Sequence, residues 1–427
     1  MISNNLAQPI VKTATKAFVK WYDPKKHTFQ VIFHKLWDAF VEACRKIPYT
    51  IPHYIVYEVN RMIACGTLDI GFEVYECPNC HRHHIICYTC KSRFCPSCGA
   101  KATRARAYMI SRSTLDVNHR HMVFTIDERL RKFFFDNPQW LHFLFDAAKE
   151  AIFYTFTNVK PSKKTARKKR KRKKVKDVIV PGFIITLHTY GRDLKWNPHV
   201  HVLCTEGGMN KDHVYKAAPY INYASLRKSF MKQVMDKMRD SLPKDSKEQK
   251  QFRKLMSIIY NEKTNGFYVH GPPREMQKNN GKDQVVQYMI RYAGKPAMAQ
   301  SRIISYNYHS RMIRYYYEDH KTNERVEVEE SVFRFMLKLI RHIPQPQFKM
   351  VRYYGIYAAC DHKHKQAVKQ RLLKQNRFKK YHDRPKHYRL SLIDTFGVDP
   401  LLCICGSYME FVDSYVSPRF VAGGEPP

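Results

Sequence analysis

The sequence predicts an α+β fold organised round a largely antiparallel sheet. Strand-like and helical runs follow one another without a repeating βα order, which argues against a parallel, doubly wound sheet. At 427 residues the chain exceeds the needs of one core, and 44% apolar with 13% aromatic residues are enough to fill two or three. No internal repeat of fixed period interrupts this reading.

Taken in order, residues 30–64 carry apolar side chains at three- and four-residue steps and predict helix. Residues 65–100 are cysteine-rich. "HRHMVFTI", ending at Ile126, reads as a strand, and 129–158 as one or two Phe-rich helices. "KKTARKKRKRKKVK" (163–176) is almost entirely basic, cannot pack, and reads as a solvated loop between elements. "VIVPGFIITLHTY" (178–190) and "HVHVLCTEG" (199–207) predict strands joined by a turn with Gly191, Asp193, Asn197 and Pro198. Helix follows over 224–260, a short strand over 266–270, helix over 283–292, a β-hairpin over 301–318, and a last helix beginning near 330.

Lys and Arg number 75 against 37 acidic residues, a net +38 with a pI near 9.8. A folded chain this basic calls for a polyanionic partner, and nucleic acid fits best. No run of about 18 apolar residues is present, and the first residues lack a signal-peptide core. The expected compartment is therefore the cytoplasm, beside the nucleoid. There, 12 cysteines are reduced or metal-bound rather than disulfide-paired.

"ECPNCHRHHIICYTCKSRFCPSCGA" supplies Cys77-x-x-Cys80 and Cys95-x-x-Cys98. Two such knuckles complete a closed tetrahedral zinc site, so these four are the predicted structural ligands, with Cys90 as the alternative. Cys65, Cys87 and Cys90 exceed what one ion needs, so some are bystanders or a second ion binds.

Four His-x-His pairs occur, at 81/83, 119/121, 199/201 and 362/364, and only His199-Val200-His201 has an apolar centre. On a strand, residues two apart share a face, so Val200 can enter the core while both imidazoles project from the other side. Downstream, "QVVQYMIRYAGKP" places Tyr288 and Tyr292 four apart, on one face of the predicted helix, with Lys295 following. Each feature is common alone; together they pair a metal site with a nucleophile.

This combination resembles the HUH endonuclease superfamily, and within it the two-tyrosine rolling-circle transposases of the IS91 insertion-sequence family. The likeness spans most of the chain: "CPNC" with "CKSRFCPSCGA", "LHTYGRDLKWNPHVHVL", "QYMIRYAGKPAMAQSRI", "RYYGIYA" and "DPLLCICG". It implies a nuclease domain with a central antiparallel sheet flanked by helices. The implied limits are a helical region at 1–64, a zinc-binding domain at 65–108, the nuclease at 109–320 with a basic insertion at 160–177, and a C-terminal region at 321–427. His199 and His201 would hold Mg²⁺ or Mn²⁺, with His188 or Glu206 as a third ligand. Tyr288 and Tyr292 would attack single-stranded DNA at transposon ends and target, giving a 5′-phosphotyrosine, and Lys295 would assist. Lys168, Arg170, Arg172 and Lys173 would grip phosphates. The resemblance leaves room for an oligomer. Cys403-Ile404-Cys405 departs from the family's C-P-x-C-G, which argues against a zinc role there. A plasmid or phage replication initiator, or a relaxase, would use the same chemistry, but the zinc knuckles ahead of the histidines favour the transposase. A noncatalytic zinc-containing regulator would leave the histidines and tyrosines dispensable. A DDE-type transposase needs an RNase H-like βαβ sheet that this strand pattern does not suggest.

Overall fold

The computed structural model describes residues 28–47, 50–157, 178–218, 220–271, 288, 292, 296–319, 322–358, 393 and 399–417. Lys168, Arg170, Arg172, Lys173 and Lys295 lie outside the described residues, as does most of the expected 283–292 helix.

The helical stretch 30–64 divides into α1 (Thr28–Arg45) and α2 (His53–Ile63). Pro52, extended at φ −57 and ψ 141, lacks a donor to continue a helix from α1 and instead N-caps α2. Strands β1 (Gly71–Glu76) and β2 (His83–Cys87) form a hairpin, followed by α3 (Pro96–Ser113), which Pro96 opens. Then come β3 (His119–Thr125), α4 (Arg131–Asp136) and α5 (Leu141–Thr157). Strands β4 (Gly182–Tyr190) and β5 (Trp196–Thr205) lead to a small hairpin of β6 (Gly207–Met209) and β7 (Tyr215–Ala217).

Residues 224–260 also split in two, into α6 (Tyr223–Asp240) and α7 (Lys247–Glu262). Pro243 follows the C-cap Ser241, and Ser246 restarts the helix by accepting from the Gln249 N–H. After β8 (Val269–His270) come β9 (Ile303–Asn307), β10 (Met312–Glu318) and β11 (Arg325–Ser331). The expected hairpin is thus a three-stranded sheet, because the charged, alternating "RVEVEES" adds a third strand. Ser331 caps α8 (Val332–Ile340), and β12 (Val351–Gly355) and β13 (Glu410–Val416) are the last strands among the described residues.

The central sheet runs β12-β4-β5-β3-β8, every neighbouring pair antiparallel. One face packs on α5 and α6: Phe124, Leu187, Val200 and Val202 meet Leu144, Ile152, Phe230 and Val234 in the largest core. Burying each such side chain contributes about 1.5–3 kcal/mol before entropy is subtracted. The α+β expectation with a central antiparallel sheet is therefore met. A second core joins α1, α2 and α8 to the cysteine-rich loop and the β9-β10-β11 sheet. Two strands from beyond residue 320 serve elsewhere: β12 edges the central sheet, and β13 pairs with β1. Gly355 ends β12 at φ +59, where a Cβ would lie 1.7 Å from the Pro181 carbonyl oxygen, so only glycine fits. That explains the glycine of "RYYGIYA" structurally. Among the described residues no helix is long and apolar enough to cross a membrane.

Candidate active site and metal centres

The period-two alternation of the central strands decides which side chains meet. His199 lies opposite His188 on β4 and Thr125 on β3; His201 lies opposite Thr186 and Val123. Leu187, Val200 and Phe124 point into the large core, so His188, Thr186, His199, His201 and His121 share the other face. A one-residue slip of β5 would exchange the two sets.

On that face His188, His199 and His201 each bring a ring nitrogen within 4.8 Å of the others. Their remaining nitrogens are tied down by acceptors. Nδ1 of His199 donates to the Asn197 carbonyl at 2.7 Å, leaving Nε2 as its lone-pair nitrogen. Nε2 of His188 donates to the Tyr292 carbonyl at 2.7 Å, leaving Nδ1. His201 Nδ1 sits 3.1 Å from His121 Nε2, and His201 Nε2 lies 3.1 Å from His199 Nε2. With His201 Nδ1 donating to His121, two lone pairs face each other across that last gap, which repels unless a proton or a cation lies between them. Burial, followed by the nearby charges of His188, His199 and His121, holds His201 well below the usual histidine range; burial lowers His199 as well. Both sign arguments disfavour the proton. A divalent ion fits: nitrogens at right angles on ~2.1 Å bonds are about 3 Å apart. Orienting hydrogen bonds of this kind are the usual outer shell of ligating histidines.

Of the two residues the sequence left open beside this pair, His188 joins it and Glu206 does not. Glu206 is buried and accepts from Arg120 Nε at 2.7 Å, an ion pair on the opposite side of the sheet. His121 is a residue the sequence reading passed over, because "HRH" carries an arginine at its centre. Arg120 is nevertheless buried against Glu206, and His121 stacks on both His201 and Tyr292, with centroids 5.3 and 4.5 Å away.

The two tyrosines occupy different positions. Tyr292 stacks nearly parallel on His201, centroids 4.2 Å apart at 23°. Tyr288 is buried deeper, 3% exposed, with its hydroxyl 2.8 Å from the His201 carbonyl, 3.0 Å from Thr186 Oγ1 and 3.3 Å from the Ile184 carbonyl. Burial pushes its phenol well above the ordinary tyrosine range. Their rings lie 5.6 Å apart. Ala107 and Ile110 of α3 pack with Tyr288, Ile184 and Leu203 beneath the histidines.

The cysteines regroup, and the predicted set of Cys77, Cys80, Cys95 and Cys98 is corrected. Cys95 and Cys98 cluster with Cys65 and Cys90, whereas Cys77 and Cys80 cluster with Cys403 and Cys405. Cys90 is thus a full member of the first group, and Cys87 belongs to neither. In that group Sγ separations are 3.5 Å (Cys65–Cys98), 3.6 Å (Cys90–Cys98) and 3.9 Å (Cys65–Cys95). Four thiolates about a zinc ion with ~2.3 Å bonds lie roughly 3.8 Å apart, so the cluster fits zinc. Gln30 of α1 donates to the Cys65 carbonyl and Arg61 of α2 to that of Cys90, which ties both helices to the loop. Cys95 N-caps α3 and Cys98 sits in its first turn, where the helix dipole favours thiolate charge. The same helix reaches the floor of the histidine site.

Comparison with known proteins gives a consistent picture. Residues 182–366 match the family model described as "Putative transposase" (Y2_Tnp), and residues 32–126 match the "Transposase zinc-binding domain" model. The chain is 30% identical over 374 residues to the transposase for insertion sequence element IS801 of Pseudomonas savastanoi pv. phaseolicola, covering 83% of each chain. It is 22% identical over 307 residues to "Putative transposase y4qJ" of Sinorhizobium fredii, covering 68% of this chain and 71% of that one. No solved structure matches.

Proposed function

Since this chain belongs to the IS91-type transposases and carries their zinc-binding domain, we propose that it cuts and rejoins single-stranded DNA at transposon ends and target through a 5′-phosphotyrosine, the chemistry of rolling-circle transposition. The observation that carries the reading is the stack of Tyr292 on His201, which sets a phenol beside three convergent imidazoles.

His188, His199 and His201 would hold a Mg²⁺ or Mn²⁺ ion, which when bound polarises the scissile phosphate and offsets the charge of the pentavalent transition state. Tyr292 Oη gives up its proton to solvent and attacks phosphorus; the P–O(Tyr) bond forms as the P–O3′ bond breaks, and the departing oxygen takes up a proton to become a 3′-OH, so no net proton is gained or lost. The covalent link conserves the phosphodiester energy, so rejoining needs no nucleotide triphosphate. Tyr288 can make the second attack only after leaving its buried hydrogen bonds, so the two cleavages are ordered, Tyr292 first. Lys295 is proposed to assist a tyrosine, and Lys168, Arg170, Arg172 and Lys173 to hold phosphates without reading sequence.

The test uses a 3′-labelled single-stranded oligonucleotide of the element end with Mn²⁺. Wild-type protein should form an alkali-stable protein–DNA adduct, and His199→Ala should lose cleavage while keeping DNA binding. An adduct that survives combined Tyr288→Phe and Tyr292→Phe would falsify the proposal.

A further inference from the structure

We propose that Cys77, Cys80, Cys403 and Cys405 bind a second zinc ion, separate from that of Cys65, Cys90, Cys95 and Cys98, and that this ion fastens β13 to the β1–β2 hairpin. Cys403 and Cys405 lie beyond both family matches, which end at residues 126 and 366.

The four thiols come together by backbone design. Cys77 and Cys80 occupy the tip of the β1–β2 hairpin, whose last ladder pair is Glu76 with His83. Cys403 and Cys405 occupy the tip of a second hairpin, closed by the Leu402–Tyr408 bridge. Pairing of β1 with β13, Glu76 opposite Glu410, brings the two tips together. Sγ separations across them are 3.4 Å (Cys77–Cys405) and 3.5 Å (Cys80–Cys403). These are far beyond the ~2.05 Å of a disulfide and near the roughly 3.8 Å edge of a zinc–thiolate tetrahedron.

The contracted Cys-x-Cys spacing, which counted against zinc in the sequence, is absorbed by the turn. At the first tip the Cys77 N–H donates to the Arg82 carbonyl, five residues on; at the second the Cys403 N–H donates to the Ser407 carbonyl, four residues on. One residue fewer between the cysteines is matched by one fewer in the closing loop. Gly406, at φ +90, permits the tighter turn. An all-thiolate set in this geometry selects zinc over hard divalent ions.

The exposed members provide the sharpest test. Cys80 and Cys405 are solvent-exposed, so as free thiols they would alkylate readily, whereas zinc would protect them. In the full-length protein, elemental analysis should find two zinc ions per chain, falling to one in the Cys403→Ser, Cys405→Ser variant. Alkylation mapping of wild-type protein, which does not depend on that variant folding, should show Cys80 and Cys405 protected until zinc is chelated. One zinc per wild-type chain, two retained in the variant, equal alkylation before and after chelation, or disulfides among the four cysteines would each overturn the proposal.

Discussion

Exchanging each tyrosine for phenylalanine separates chemistry from packing. Tyr292 is half-buried, and its ring stacks on His121 and His201, contacts that phenylalanine keeps. Tyr292→Phe should therefore cost under about 1 kcal/mol while removing the oxygen proposed to attack phosphorus. Tyr288→Phe behaves oppositely. It removes the donor 2.8 Å from the His201 carbonyl and 3.0 Å from Thr186 Oγ1 in a buried setting. Leaving such acceptors unsatisfied costs about 1–3 kcal/mol, which in a domain of this size lowers the melting temperature by roughly 2–10 °C. Adduct formation on a 3′-labelled single strand, read by denaturing gel, should vanish in Tyr292→Phe and persist in Tyr288→Phe, with strand transfer lost in both. Thermal melting should move only in Tyr288→Phe. The reasoning fails if Tyr288→Phe alone abolishes the first adduct, or if it melts with the wild type.

His121→Phe keeps the stack but removes the acceptor that orients His201, so the Mn²⁺ concentration for half-maximal cleavage should rise roughly 10–100-fold; an unchanged metal titration would exclude the orienting role. Glu206→Gln leaves Arg120 buried beside a neutral partner at side-chain exposures of 10% and 5%. Urea denaturation should show a loss of about 3–5 kcal/mol, and a loss under 1 would contradict a buried pair. Burial lowers His119 and His342 to about 4 each. Because the folded pKa lies below the unfolded value near 6.5, the unfolded chain takes up these protons first, and stability is lost as pH falls from 6.5 towards 4. At pH 5 each contributes a loss of roughly 2 kcal/mol, so His342→Asn should flatten the fall in melting temperature between pH 7 and 5.

Local pattern made the histidine strand legible. Period two and the apolar Val200 place His199 and His201 on one face, and that rests on nothing beyond neighbouring residues. The choice of His188 over Glu206 was not available locally, since it depends on Arg120, 86 residues away, claiming the carboxylate. The same arginine hides His121: it denies the His119/His121 pair an apolar centre, and only the distant Glu206 buries it. The cysteines show the limit most clearly. Any two knuckles within reach can complete a tetrahedron, so spacing marked candidate ligands without saying which of them come together. Pairing of β1 with β13 across more than 320 residues decided that.

That pairing also bears on the order in which the protein is made. The edge of β1 opposite β2 is covered by β13, which the ribosome reaches more than 300 residues later. At the ~5–20 residues per second of translation, this edge stays bare for roughly 15–70 s in every nascent copy. Exposed strand edges recruit other strands, so a newly begun chain passes through a period in which its N-terminal hairpin is open to pairing with a neighbour on the same message.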